Sequence, residues 1–141
     1  VADDEDAERD RRRAERAERA GHHRAAHEGR RERESARAQV LVDRFVADAL
    51  RAALPTEKLT ARPWSGRGRY RTGLVGWYLR SDRSIAVDVD GGYHRLVVAP
   101  VRLGRWRTVR LAPARPPLLV GEGARDGESI ELAVLLQMRL R

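Results

Sequence analysis

The sequence predicts an α+β fold: a long N-terminal helix, a four- to five-stranded antiparallel meander, curved or small barrel-like, and a C-terminal helix. Three observations carry this. Apolar residues recur at helical spacing from Ala38 to Ala53, short β-type runs separated by turn residues follow, and the chain ends in an apolar run without Gly or Pro. Residues 1–35 hold no Leu, Ile, Phe, Met, Trp or Tyr, which predicts a charged arm, helical or partly disordered. Residues 36–141 are then one compact domain, long enough for a core.

Within the arm, Arg, Glu, Asp and Ala favour a helix, and Glu8 with Arg12 and Glu15 with Arg19 are favourable i,i+4 pairs. Gly21 and Gly29 each weaken it by about 1 kcal/mol. A heptad built on Ala7 and Ala14 fails at Gly21, so no strong autonomous coiled coil is expected. From Ala38 onward, Leu41, Val42, Phe45, Val46, Ala49, Leu50 and Ala53 line one helical face opposite Asp43, Arg44, Asp48 and Arg51, and Pro55 ends the helix near Leu54.

Strands are predicted at about 73–79, 84–90, 93–98 and 106–112, with a possible fifth at 118–120. A two-residue turn in Asp90-Gly91-Gly92 would put Ile85, Val87 and Val89 on the same face as His94, Leu96 and Val98, leaving Asp88 and Arg95 on the solvent face. Pro113, Pro116 and Pro117 end the meander, and the Asp126, Gly127 and Ser129 region starts a final helix that is apolar nearly all round.

With no cysteine there is no disulfide framework, thiolate nucleophile or cysteine-based zinc site. No apolar run suits a signal peptide or a membrane span, so a cytoplasmic protein without a membrane partner is expected. Lys58 is the only lysine among 29 basic residues, the bias of a GC-rich genome, so arginine placement matters more than arginine number. Residues 1–35 carry ten Arg against eleven acids, and residues 36–54 three against two. Residues 55–141 carry sixteen basic residues against eight acids, so −1, +1 and +8 put the whole net +8 on the β-rich part. Lys58–Ser81 and Gly91–Gly121 contain no acid at all.

Catalytic patterns are poorly represented. His94 is the domain's one histidine and shares a strand with apolar residues, and no Ser sits in a G-x-S-x-G elbow. His23 and His27, at i,i+4 beside His22 and Glu28, suit at most an adventitious metal. The run from Ser65 to Gly73 lacks the Lys-Ser/Thr of a phosphate loop, although its backbone and arginines could hold anions. No cofactor is implied.

The constellation that suggests function interleaves arginine with aromatics: Arg62 near Trp64, Arg69-Tyr70-Arg71, Trp77-Tyr78 near Arg80, and Arg105-Trp106-Arg107 with Arg110. On a small sheet, aromatic rings stack bases while guanidinium groups meet phosphates. Arg67, Arg69, Tyr70, Arg71, Arg105, Trp106, Arg107 and Arg110 are the candidate binding residues of a non-catalytic module with a basic sheet face for RNA or DNA. The alternative is a protein-interaction or scaffold subunit using the C-terminal helix and the arm. Trp77-Tyr78-Leu79, followed by Arg107-Thr108-Val109-Arg110-Leu111, resembles the pattern of WYL domains, small SH3-like barrels of bacterial regulators associated with nucleic-acid ligands. The second segment lies farther downstream than in that pattern and no helix-turn-helix precedes it, so membership is not assigned.

Overall fold

The computed structural model describes residues 1–121 and 128–141. Its element order is α1 (Ala2–Arg51), β1 (Glu57–Pro63), β2 (Tyr70–Tyr78), β3 (Ile85–Asp88), β4 (Tyr93–Arg95), β5 (Val97–Val98), a one-turn 3₁₀ helix (Gly104–Trp106), β6 (Leu119–Val120), β7 (Ile130–Glu131) and α2 (Leu132–Leu140). The chain divides into two units, Val1–Glu34 and Ser35–Arg141.

In the first unit, residues 2–34 are helical without a break at Gly21 or Gly29 and none is buried. Local pairs run along it, among them Glu8 with Arg11 (3.1 Å) and Arg12 (3.2 Å). Each such pair is worth only a few tenths of a kcal/mol, so the high helix propensity of Arg, Glu and Ala is the main local support.

In the second unit, Ala38, Val42, Phe45, Val46 and Ala49 of α1 are buried, the stripe that periodicity predicts. Leu50 is exposed. The helix ends in a Schellman turn: Leu54 N–H donates to Ala49 O and Ala53 N–H to Leu50 O, with Ala53 in the left-handed region at φ 54°. Trp77 ties this end to the sheet. Its Nε1 donates to Leu54 O (3.1 Å) and its ring meets Phe45 edge-on at 5.5 Å.

The main sheet has the order β4-β3-β2-β1-β5. It is mixed and not a closed barrel, which corrects the expected antiparallel meander: β5 pairs in parallel with β1, Arg62 opposite Val97 and Pro63 opposite Val98. One residue, Leu96, separates β4 from β5. Its N–H donates to Ser84 O and its C=O accepts from Arg62 N–H, so the chain passes there from one end of the strand order to the other. A bulge in the β1–β2 ladder between Lys58 and Thr60 is served by side chains, with Thr72 Oγ1 donating to Leu59 O (2.6 Å) and Thr60 N–H donating to Tyr78 Oη (2.9 Å).

Two expectations about the strands fail for definable reasons. β1 lies before the first predicted strand. The predicted strand at 106–112 is a 3₁₀ turn followed by extended chain that meets the sheet at one parallel bridge, Thr108 with Arg71. β3 is four residues long and its ladder with β2 stops at Gly76, leaving that side of the earlier part of β2 to this segment. The segment around 118–120 does form a strand, but β6 pairs with β7 in a separate two-stranded sheet.

The β3–β4 hairpin reverses the predicted faces. Val87 pairs with Tyr93 and Ala86 with His94, and Asp88 N–H donates to Gly92 O, so the loop holds three residues, 89–91, and not two. An odd loop shifts the register parity by one, which flips every side chain after it. Ile85 and Val87 therefore join Tyr93, while His94 and Leu96 lie on the opposite side with Ala86 and a buried Asp88.

Two cores result. Phe45 and the α1 stripe pack with Trp77, Val87, Tyr93, Val120 and α2 residues Leu132, Leu135 and Leu136. Leu59, Ala61, Tyr70, Tyr78, Ala86, Leu96 and Val109 form the second. Asp126 and Gly127, expected at the start of the last helix, lie outside the described residues. Ile130 belongs to β7, and α2 begins at Leu132 with Val134 and Met138 exposed.

Candidate functional site

The candidate residues lie on the β1–β2 connection, on the start of β2 and on residues 101–110. Alternation along β2 turns Tyr70 and Thr72 inward and Arg71 outward. Tyr70 is 5% exposed. Its hydroxyl accepts from Val101 N–H (3.2 Å), and Gly104 lies so close to the ring that a Cβ there would sit 2.7 Å from a ring carbon. Tyr70 therefore offers no free face for stacking; it is a strut that fixes the backbone of 101–104 against the start of β2.

Further contacts join the same two segments. Val109 N–H donates to Arg71 O (2.7 Å), the Thr108 methyl lies over Gly73, and the Arg105 side chain lies against Gly68. These contacts bring the segment that carries Arg67, Arg69 and Arg71 together with the one that carries Arg105 and Arg107; all five arginines are exposed, as is Arg102. Arg69 Nη1 donates to Thr60 Oγ1 (3.2 Å), which orients its head without neutralising it. Arg110 is exposed beside the buried Val109, one residue beyond the contacts that join the segments.

Trp106 is 73% exposed and Trp64 is 69% exposed, whereas Trp77 is fully buried. Trp64 stands beside Arg62 in sequence but is absent from the eight candidates. Its signal is its position after the last inward residue of β1, Pro63, at the mouth of an acid-free loop.

Arg62 and Arg80 are engaged elsewhere. Arg62 Nη1 donates to Asp82 O (3.0 Å), and Arg80 lies 4.0 Å from the Asp82 carboxylate. Burial pushes the Asp82 carboxyl up, but the Ser84 hydroxyl and N–H with Arg80 and Arg62 hold it below the ordinary value.

The buried polar pair of the domain is Asp88 with His94, 6% and 1% exposed. Asp88 Oδ1 accepts from Asp90 N–H (2.8 Å) and Gly92 N–H (3.0 Å), and Oδ2 faces His94 Nε2 at 2.6 Å. Burial raises the Asp88 carboxyl, but these hydrogen bonds and the His94 charge outweigh it and leave it below the ordinary carboxylate value. A carboxylate acceptor requires a proton on Nε2; the other ring nitrogen, Nδ1, is buried and without a partner among the described residues. The pair resembles half of an acid–base relay, yet its outer nitrogen is closed to solvent; what it orders is the hairpin loop. A Cβ on Gly92 would collide with the Asp88 carboxylate.

His23 and His27 are exposed on α1, and the described residues contain no group of three or more His, Cys, Asp or Glu able to hold a metal. No helix among the described residues is long and apolar enough to cross a membrane. No family model, no curated protein and no solved structure matches the chain.

Proposed function

We propose that residues 64–71 and 101–110 form the binding surface of a non-catalytic module for an anionic polymer, RNA or DNA. The observation that carries this is the joining of two acid-free segments, distant in sequence, through Tyr70, Gly104, Gly68 and the Arg71–Val109 bond, so that their arginines share one surface. Codon bias accounts for many arginines but not for the exclusion of acids from the segments that meet. Guanidinium groups suit phosphate because their fork of donors matches two oxygens at once. A cytoplasmic location fits such a partner.

Changing Arg69, Arg71, Arg105 and Arg107 together to Gln is expected to abolish oligonucleotide binding at about 0.15 M salt while leaving the circular-dichroism spectrum unchanged. Wild-type affinity should fall with salt at a slope near −0.7 per phosphate neutralised on single strands, or near −0.9 on duplex. Binding that survives in the four-arginine variant would refute the proposal.

Val134 and Met138, at i,i+4 on α2 and 42% and 54% exposed, favour a second function as a protein-interaction subunit. Val134→Lys with Met138→Lys would release a protein partner and leave oligonucleotide binding intact, which separates the two.

A further inference from the structure

We infer that the surface takes single-stranded nucleic acid, its unpaired bases stacking on Trp64 and Trp106; this rests on the function proposed above and specifies its ligand. Two of the chain's three tryptophans stand in water at 69% and 73% exposure. An indole left in water forgoes one of the largest hydrophobic gains available to any side chain, so two of them at one end of a small sheet call for an occupant.

Both stand on constrained backbone. Trp64 follows the buried Pro63, which pairs with Val98, and its N–H donates to Val98 O (3.0 Å). Trp106 closes the 3₁₀ turn by donating its N–H to Leu103 O (3.0 Å), and that turn begins at Gly104, pinned under the Tyr70 ring. Leu103 enters it in the left-handed region at φ 59°, a conformation that is costly for leucine and is held by the contacts on either side. The rings are therefore presented by fixed main chain, which lowers the ordering cost when a flat partner settles on them.

The chemistry of the surroundings selects the flat partner. Trp106 lies between Arg105 and Arg107, and the loop after Trp64 carries Arg67 and Arg69, with no acid in either segment. One polymer can meet the guanidinium heads of both segments only by running across them, and an aromatic face beside them is useful only to a base that is not already stacked and paired. In a duplex the bases are turned inward, so a protruding indole meets sugar and phosphate and gains little. An unpaired strand satisfies both features at once.

The test uses the full chain, a fluorescent 15-nucleotide oligo(dT), the corresponding dA·dT duplex, and vesicles of phosphatidylglycerol, all at about 0.15 M salt. The single strand is expected to bind more tightly than the duplex. Trp64→Ala and Trp106→Ala should each weaken it by roughly 5- to 150-fold, the range for removal of one stacking ring. The salt slope should stay unchanged because no charge is lost, and Trp106→Phe should retain most of the affinity. Equal binding of duplex and single strand with no effect of either tryptophan, while the four-arginine variant still fails to bind, would overturn this inference and leave the proposed function standing. Retention of binding in the four-arginine variant would overturn both. Vesicle binding that depends on the tryptophans, with oligonucleotide binding indifferent to them, would replace the base by a lipid surface and overturn the inference.

Discussion

One face of the main sheet packs against residues 38–49 of α1 and against α2, the other against residues 101–111, a length of chain with a single turn of 3₁₀ helix. The helical side buries Phe45, Trp77, Tyr93 and three leucines of α2 in one cluster. The opposite side is smaller and depends on polar fastenings: Tyr70 to Val101, Tyr78 to Thr60, and Thr72 to Leu59. Apolar area grows with the size of the packed elements, so the helical side is expected to supply most of the stability. The candidate site lies at the edge of this smaller core, at the end of the sheet where Tyr70 turns inward and Arg71 outward.

The sharpest way to break this contrast is Phe45→Ala. Phe45 is 2% exposed and rests edge-on against Trp77, so its removal is expected to cost about 3–5 kcal/mol in denaturant unfolding. A loss below about 1 kcal/mol would mean that the helical side is not the dominant core.

Asp88→Asn probes the hairpin that both sides share. Both carboxylate oxygens are acceptors, so an amide NH₂ must either oppose the turn amides or move the His94 proton from Nε2 to the buried, unpartnered Nδ1, at a cost of about 1–3 kcal/mol. The Asp88 pKa is lowered in the folded state, so its contribution is present above the ordinary carboxylate value of about 4 and is lost as pH falls through the lowered folded value. The stability gap between wild type and Asp88→Asn should therefore narrow as pH drops below about 4. A gap that widened there would contradict an ionised, hydrogen-bonded Asp88.

Tyr70→Phe is the smallest perturbation and acts only on the thin side. It deletes the acceptor of Val101 N–H, with an expected cost of about 0.5–1.5 kcal/mol. The Val101 amide should exchange faster with solvent while amides of the α1 stripe do not. Unchanged protection at Val101 would show that Tyr70 is not the strut of the 101–104 segment.

The helical side was legible in the sequence because Ala38, Val42, Phe45 and Ala49 repeat at the period of the element they form. The other side was not, and the reasons are specific. β1 presents only Leu59 and Ala61 before a proline, too little alternation to stand out. Residues 106–112 contain Trp106, Val109 and Leu111, which resemble strand residues, yet only Val109 is buried. The hairpin faces depended on a loop length set by one side chain: Asp88 gathers two amides and His94, and no residue count around Asp-Gly-Gly reveals that.

At the candidate site, the acid-free arginine segments stand out in the sequence, but the burial of Tyr70 was missed. A usable signal existed, since Tyr70 and Thr72 share a period-2 phase opposite Arg71. The exposure of Trp64 had a weaker signal in its place after Pro63, and that of Trp106 had none, because a tryptophan between two arginines reads equally well as core or as surface.

The handover at Leu96 bears on how the domain assembles in time. Its amide belongs to the β3–β4 side and its carbonyl to β1, some thirty residues earlier in the chain. The parallel pairing of Arg62 and Pro63 with β5 is a long loop closure that gains nothing until the β3–β4 hairpin has set the direction of the strand. The hairpin is then expected to be the early local event and β1–β5 docking the late one. Slowing of refolding by mutations near Leu96 would register in the first step, whereas mutations at Pro63 would chiefly accelerate unfolding.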